Sequence, residues 1–466
     1  MVFSSNLFLF VFLPIFLLAY FATPARFKSA LILGFSYAFY AWWRPDFLIL
    51  LMGVSIGSYV FSLAIDKQQD DKKRYRILTI GVALNLCTLA YFKYANFGIE
   101  SLNIALATIN APSINWAPVL LPIGLSFYIF HAISYLVDIY RREAPPAKNL
   151  IDFSAFIALY PHLVAGPVLR YHLLAEQFRS RAHSIQIFAR GCTVFMLGFC
   201  QKVLIADSVA PLADAAFAAP FPTMADAWLG TIAYTVQLFF DFSGYSTMAI
   251  GLALMIGFKF PENFNDPYTS TSITEFWQRW HMSLSSWLRE YLYVPLGGNR
   301  KGTLRTYINL FLTMVLGGLW HGANWTFLIW GAWHGAVLAI ERYCKSKYGV
   351  LPIPRWMLIA KTMIIVMIGW VFFRAHNVTE AIKMLKALAG QGAAAQFGSL
   401  FSHAVAWQVT NDRLIILVVS ILLVYLLPII KRHSNTPIRF AILPLFIWSV
   451  ATLSAQSFTP FLYFQF

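Results

Sequence analysis

A histidine stands where two apolar runs of this sequence meet, in Gly317-Gly-Leu-Trp-His321-Gly-Ala-Asn324-Trp325. Neutral imidazole is the side chain best suited to move a proton near pH 7. The glycines around it permit close approach of backbone or ligand. Asn324, three residues on, is placed to orient the ring. The competing reading of His321 is a buried structural histidine held by a hydrogen bond. A second histidine lies in Trp280-His281-Met-Ser283-Leu-Ser285, among aromatic residues that would equally anchor a membrane interface. His334 follows His321 by thirteen residues. On one continuous helix the two would face different sides, and the chain has no HxxxH or HExxH spacing, so no metal site is expected. His334 reads as structural.

Acids and prolines inside apolar runs form a further set. Gln237-Leu-Phe-Phe-Asp241-Phe-Ser243-Gly-Tyr245 places an aspartate at membrane depth, with Tyr245 on the same helical face. Asp241 is expected to pair with an arginine or to anchor a helix contact rather than to catalyse. His162 lies in Tyr160-Pro-His162-Leu-Val-Ala-Gly166-Pro167, and Leu121-Pro122-Ile-Gly-Leu-Ser-Phe-Tyr128 opens another apolar run. Cys87, Cys192, Cys200 and Cys344 have no metal-like or disulfide-like spacing and read as small buried hydrophobes. No Walker A, dinucleotide-binding glycine pattern or GxSxG elbow is present.

The elements that must position these residues are membrane helices. Of 466 residues, 59% are hydrophobic and 12% charged, and the apolar residues come in long runs such as Phe47 to Ile65. A run of roughly 20 residues matches the hydrocarbon thickness at the helical rise. The runs do not alternate as β-barrel strands would. The net charge of +15 sits in short loops. It therefore reads as positive-inside topology and attraction to anionic lipid head groups, with no nucleic-acid partner.

Spans are expected near 6–23, 28–44, 47–65, 77–95, 117–139, 185–207, 227–257, 304–320, 323–341, 356–373, 413–430 and 439–455. The basic stretches Arg26/Lys28, Lys67 to Arg76, Arg141 to Lys148, Arg170 to Arg181 and Lys431 to His433 are expected in the cytoplasm, with both termini outside. The N-terminus lacks a basic n-region, so the first span reads as retained rather than cleaved. Residues 150–183, broken by Pro161, Gly166 and Pro167, suggest a re-entrant segment. Ser272-Ile-Thr-Glu275 reads as a capping box opening one amphipathic interfacial helix. That helix would carry Phe276, Trp280, Leu284, Trp287, Leu288 and Tyr291 on its apolar stripe, with Arg279 elsewhere. Asn377-Val-Thr-Glu380 would cap a surface helix. The expected fold is all-α and polytopic, about 11–12 spans plus re-entrant and interfacial helices, in a single membrane-embedded domain over residues 1–466.

Together these clusters resemble the membrane-bound O-acyltransferase family, in its bacterial alginate O-acetyltransferase branch. The resemblance runs through MVFSSN, Tyr40-Ala-Trp-Trp43, Tyr91 to Phe97, Leu121 to Gly124, Pro161 to Pro167, Asp241 to Tyr245, Glu262 to Tyr268, Phe276 to His281, Gly318 to Asn324 and Phe461 to Phe466. Its motif core spans about 120–345, with C-terminal spans over 356–466. It implies that His321, beside Trp320 in the WHG motif, is the catalytic histidine, and that His281 belongs to the WRRWH-like motif, where Gln278 replaces the first arginine. Beside them, Asn324, Trp320, Asp241, Tyr245, His162 and Arg279 are expected as substrate-binding or supporting residues. The resemblance also implies acetyl-CoA as donor with no permanently bound cofactor, and a bacterial inner-membrane location. The partners implied are an extracytoplasmic acetyltransferase, a polysaccharide-synthesis complex and membrane lipids.

The expected activity is therefore transfer of acetyl from a cytoplasmic thioester, across the membrane, for O-acetylation of an exopolysaccharide such as alginate. Cellulose or another surface polysaccharide is the alternative acceptor. Two other classes remain open on the residues themselves. A transporter or flippase would use the broken 150–183 segment as its binding site, but should show two matching halves. A non-catalytic scaffold for a synthase would tolerate loss of both His281 and His321.

Overall fold

The computed structural model describes residues 1–349, 352–393, 400–433, 439–455 and 461–462. Among them there are helices, turns and loops and no strand. Five helices are both long enough and apolar enough to cross a bilayer: Asp46–Lys67, Asp71–Thr108, Ile185–Ala218, Met224–Met255 and Arg355–Arg374. Two shorter apolar helices are Phe8–Ala22 and Ala441–Ala455. The runs expected near 28–44, 304–320, 323–341 and 413–430 coincide with helices Lys28–Ala41, Thr303–His321, Trp325–Tyr348 and Asn411–His433. The chain is a multi-pass helical membrane protein.

By packing, the chain divides into two compact units, Met1–Phe195 with Met248–Pro261, and Met196–Thr247 with Glu262–Phe466. In the first unit, two expectations change. The span placed at 117–139 is helical only from Leu125. Pro118 and Pro122 cannot donate to a helix ladder. Asn96 instead ties down the extended stretch, bonding the Val119 carbonyl at 2.7 Å and accepting the Val119 N–H at 2.9 Å. Gly124 then turns the chain with φ 76°, so close to the Leu163 carbonyl that a β-carbon would not fit. The helix expected at 77–95 runs over Asp71–Thr108, because the charged stretch before it is already helical after the Asp70 cap.

The 150–183 segment is broken as expected, into Leu150–Ala158, Tyr160–Leu163 and Tyr171–Arg179. Residues 153–169 between its ends are buried in protein, which is what irregular backbone at membrane depth requires. His162 belongs here. Its Nε2 meets the Phe156 carbonyl at 3.0 Å, and its ring sits edge-on to His131 at 4.5 Å.

In the second unit, Thr303–His321 and Trp325–Tyr348 form a tight hairpin. Gly318 lies against the Phe327 carbonyl and Gly331 against the Met314 carbonyl, and a β-carbon at either would force the helices apart. The surface helix after Asn377 is Val378–Lys386, and the Asn377 side chain accepts the Glu380 N–H at 2.9 Å. The cysteines do not all behave as buried hydrophobes. Cys200 is buried, Cys192 half-buried, and Cys87 and Cys344 lie exposed on outer helix faces.

Candidate active site

Residues 272–291 do not form the single interfacial helix that their apolar stripe suggests. They fold as Ile273–Arg279 and Met282–Leu288, separated at Trp280 and His281. The first helix begins as expected: the Ser272 hydroxyl accepts the Glu275 N–H at 3.0 Å. The Glu275 carboxylate returns to Thr271, N and Oγ1 both at 2.7 Å, rather than to Ser272. It also pairs with Arg279 at 2.7 Å, so Arg279 is committed to this local network. Burial raises the Glu275 pKa, but the Thr271 hydrogen bonds and the Arg279 and Arg355 charges outweigh it and hold the carboxyl below its usual range.

The break is made by Asn263, a residue of the Glu262 to Tyr268 motif that no spacing along the chain connects to His281. Its carbonyl accepts the Met282 N–H at 2.9 Å. Its side-chain oxygen accepts the Ser283 N–H at 3.2 Å and the Ser283 hydroxyl at 2.8 Å, and lies 3.1 Å from His281 Nδ1. Asn263 thereby caps the second helix from outside it. His281 is left with φ 44° and ψ 53°, a left-handed conformation that costs a non-glycine residue about 1–3 kcal/mol. Such strain persists only where its surroundings impose it.

The same contact fixes the imidazole tautomer. A backbone N–H can only donate, so the atom receiving Ser283 N is the amide oxygen of Asn263. His281 Nδ1 must then carry the proton that it donates to that oxygen. Nε2 is left with its lone pair, buried and without a hydrogen-bond partner among the described residues. Burial pushes the His281 pKa down to about 3, so the ring is neutral near pH 7. The ring stands edge-on to Phe242 at 4.7 Å and is tilted against Trp320 at 6.4 Å.

His321 is the last residue of Thr303–His321 and is buried. Aromatic rings surround it: Trp320 at 5.0 Å, Trp330 at 5.2 Å and Phe373 at 5.2 Å, all edge-on. Trp320 thus touches both histidines, and the structure brings together His281, Trp320 and His321. Asn324 does not orient the imidazole. Its oxygen caps the next helix at Thr326 N, 3.0 Å, and its NH2 reaches the His376 carbonyl at 2.8 Å. His321 and His334 do not share a helix either. They lie on the two arms of the hairpin and meet the same Trp330 ring, at 5.2 and 5.1 Å. His334 is fully buried, edge-on to Trp277 at 5.1 Å, with neither ring nitrogen hydrogen-bonded among the described residues.

Asp241 pairs with a lysine rather than an arginine. Lys202 Nζ is 2.7 Å from Asp241 and also bonds Asp207, and all three are buried or nearly so. The other Asp241 oxygen accepts the Leu462 N–H at 3.0 Å, and Phe461 stacks on Tyr245 at 4.3 Å. The C-terminal motif is therefore tied to the DFSGY helix through Phe461 and Leu462; Tyr463 to Phe466 lie outside the described residues. Arg374 joins Asp214 at 2.8 Å and lies 6.0 Å from the Tyr234 ring centre. These ion pairs serve helix association. His162 lies in the first unit. Among the described residues, the one grouping of metal-ligand type is Asp138, Glu143 and His172, also in the first unit, where His172 Nδ1 already bonds Asp138 at 2.9 Å.

A buried histidine with a fixed tautomer beside a second in an aromatic box is suited to proton transfer in a water-restricted space. The membrane-bound O-acyltransferase family model matches residues 123–379, more than half of the chain and all the residues just described from His131 to Phe373. The chain belongs to the membrane-bound O-acyltransferase family. It is a membrane-bound O-acyltransferase enzyme. It is 50% identical to a protein of Azotobacter vinelandii named "Probable alginate O-acetylase", over the full length of both chains. It is 35% identical to a "Peptidoglycan O-acetyltransferase" of Helicobacter pylori, covering 84% of this chain and 80% of that one. It is 28% identical to a "Teichoic acid D-alanyltransferase" of Bacillus subtilis, covering 52% and 65%.

Proposed function

We propose that this membrane-bound O-acyltransferase O-acetylates an exopolysaccharide, alginate, as one step of a relay across the bacterial inner membrane. The full-length likeness to alginate O-acetylase at 50% identity, against 35% for the peptidoglycan enzyme, favours alginate as acceptor. Acetyl-CoA is the donor at the cytoplasmic face, and an extracytoplasmic acetyltransferase receives the group before it reaches the polymer.

In this reading the donor's C–S bond breaks and a C–O bond to the acceptor hydroxyl forms. The hydroxyl proton passes to an imidazole and then to the departing thiolate. The observation that carries it is the pair of buried histidines flanking Trp320. His281 Nε2 is unprotonated with its tautomer set by Asn263, and it presents a lone pair that can accept a hydrogen bond from the acceptor hydroxyl and orient it. His321, in its box of Trp320, Trp330 and Phe373, acts as the base or as a nucleophilic relay that carries the acetyl group.

The test uses inverted membrane vesicles containing the protein, its polymer and the extracytoplasmic partner. Radiolabelled acetyl-CoA is added to the exposed cytoplasmic face. The expected result is label in the polymer inside the vesicle, with one free thiol released per acetyl group. Uptake of a polar solute without thiol release would overturn the reading in favour of a transporter.

A further inference from the structure

The first unit contains an apolar cavity of about 430 Å³ that no part of the acyl-transfer site uses. Its walls are Phe21, Ile185, Ile187, Phe188, Leu254 and Met255, and His183 and Ser184 also line it. Around it gather two cationic side chains, Lys28 and Arg181, and the imidazole of His183. Lys28 Nζ lies 4.3 Å above the Tyr20 ring and 5.8 Å from the ring of Phe21. The Arg181 guanidinium lies 4.7 Å over Phe258, and His183 Nε2 is 2.9 Å from the Tyr20 hydroxyl. Among the described residues none of the three meets a carboxylate, and Arg181 Nη1 is buried with no hydrogen-bond partner. Their fields reach one another: burial, then the charges of Lys28 and Arg181, hold His183 below its usual pKa.

Cations that repel one another without a counter-ion mark a place where an anion is stabilising. The backbone adds to this. Ile185–Ala218 begins at the cavity, with Ser184 Oγ accepting the Ile187 N–H at 3.1 Å. The first amides of a long helix favour phosphate. Below these polar groups the wall is almost wholly apolar, which suits a hydrocarbon chain rather than a soluble anion. The loops that supply the cations, around Arg26/Lys28 and Arg179/Arg181, are the ones whose charge places them on the cytoplasmic side, where anionic lipid is concentrated.

We propose that this cavity is a binding site for an anionic phospholipid. The phosphate is held by Lys28, Arg181, His183 and the start of Ile185–Ala218, and one acyl chain lies against Phe21, Ile187, Phe188, Leu254 and Met255. The site is separate from the reaction and does not rest on the acceptor or donor proposed above.

The experiment places the full-length protein in nanodiscs of phosphatidylcholine carrying increasing phosphatidylglycerol and follows its thermal stability, with retained lipid counted by native mass spectrometry. The expected result is a saturable stabilisation by phosphatidylglycerol and retention of that lipid in preference to phosphatidylcholine. Arg181→Gln and Lys28→Gln should each weaken it about five-fold, the weight of one basic residue at an anionic surface. Ile187→Trp, which fills the cavity and leaves every charge in place, should weaken it as well. Equal response of the wild-type protein to both lipids would overturn the proposal whatever the variants do. So would indifference to Ile187→Trp, or displacement of the lipid by coenzyme A, which would assign the cations to the donor instead.

Discussion

Asn263 holds His281 in place from eighteen residues upstream, its amide oxygen 3.1 Å from Nδ1 of the imidazole. That one oxygen also takes two hydrogen bonds from Ser283, so the position of the ring, its left-handed backbone and its tautomer have a common cause. Replacing Asn263 by Leu should leave the chain in the membrane but lower acyl transfer by about 10²-fold or more, as expected for an imidazole free to adopt the wrong tautomer. Asn263→Asp keeps an acceptor oxygen and should retain more activity. Turnover per unit of membrane-inserted protein measures both. Equal activity of the Leu variant and the wild type would show that the tautomer does not matter.

The strained backbone makes a separate prediction. At φ 44°, His281→Ala loses the imidazole and keeps the strain, whereas His281→Gly loses both. The glycine variant should be the more stable by about 1 kcal/mol, the cost of a left-handed residue with a β-carbon. Thermal unfolding of the two variants in the same detergent gives the comparison. The reverse order would mean that the turn is not strained.

Protonation of His281 opposes folding. Its pKa is pushed from the usual 6.5 down to about 3 by burial. The unfolded chain therefore binds a proton below pH 6.5 that the folded protein refuses until about pH 3. The contribution of neutral His281 to stability is complete above pH 6.5 and is lost progressively as pH falls toward 3. His281→Gln should flatten the fall in stability over that window. Parallel curves for the variant and the wild type would locate the acid sensitivity elsewhere.

Lys202 is buried between Asp207 and Asp241. Lys202→Met leaves two carboxylates facing each other without a cation, and should destabilise the protein by about 3–5 kcal/mol. Adding Asp207→Leu and Asp241→Leu removes the stranded charges, so the triple variant should recover much of that loss. Expression level and unfolding temperature would register both steps. A triple variant less stable than Lys202→Met would show that the acids are needed for something other than balancing the lysine.

Much of this fold can be read along the chain, because apolar run length and loop charge report directly on membrane helices. The limits were set at individual residues. The stripe from Phe276 to Tyr291 keeps its period through His281, so the pattern gives no hint that the helix breaks there. Only Asn263, remote in sequence, does that. Lys202 is not legible as a partner of Asp241, because it sits within one apolar run and Asp241 lies on another helix; pairing between helices leaves no periodic trace. Asn324 has the right spacing to touch His321 on a continuous helix, but Gly322 ends the helix and frees Asn324 to cap the next. The exposed cysteines follow from the solvent: a helix face turned to lipid is apolar and outward at once, so hydrophobicity does not imply burial in protein.

In the proposed function, acyl transfer depends on the buried histidines beside Trp320. The most direct measurement is the acetyl content of the polysaccharide made by cells whose only copy of this protein carries His321→Ala, with the amount of protein in the membrane measured alongside. The expected result is polymer made in normal quantity with its O-acetyl groups lost. Normal acetylation at normal protein levels would contradict it.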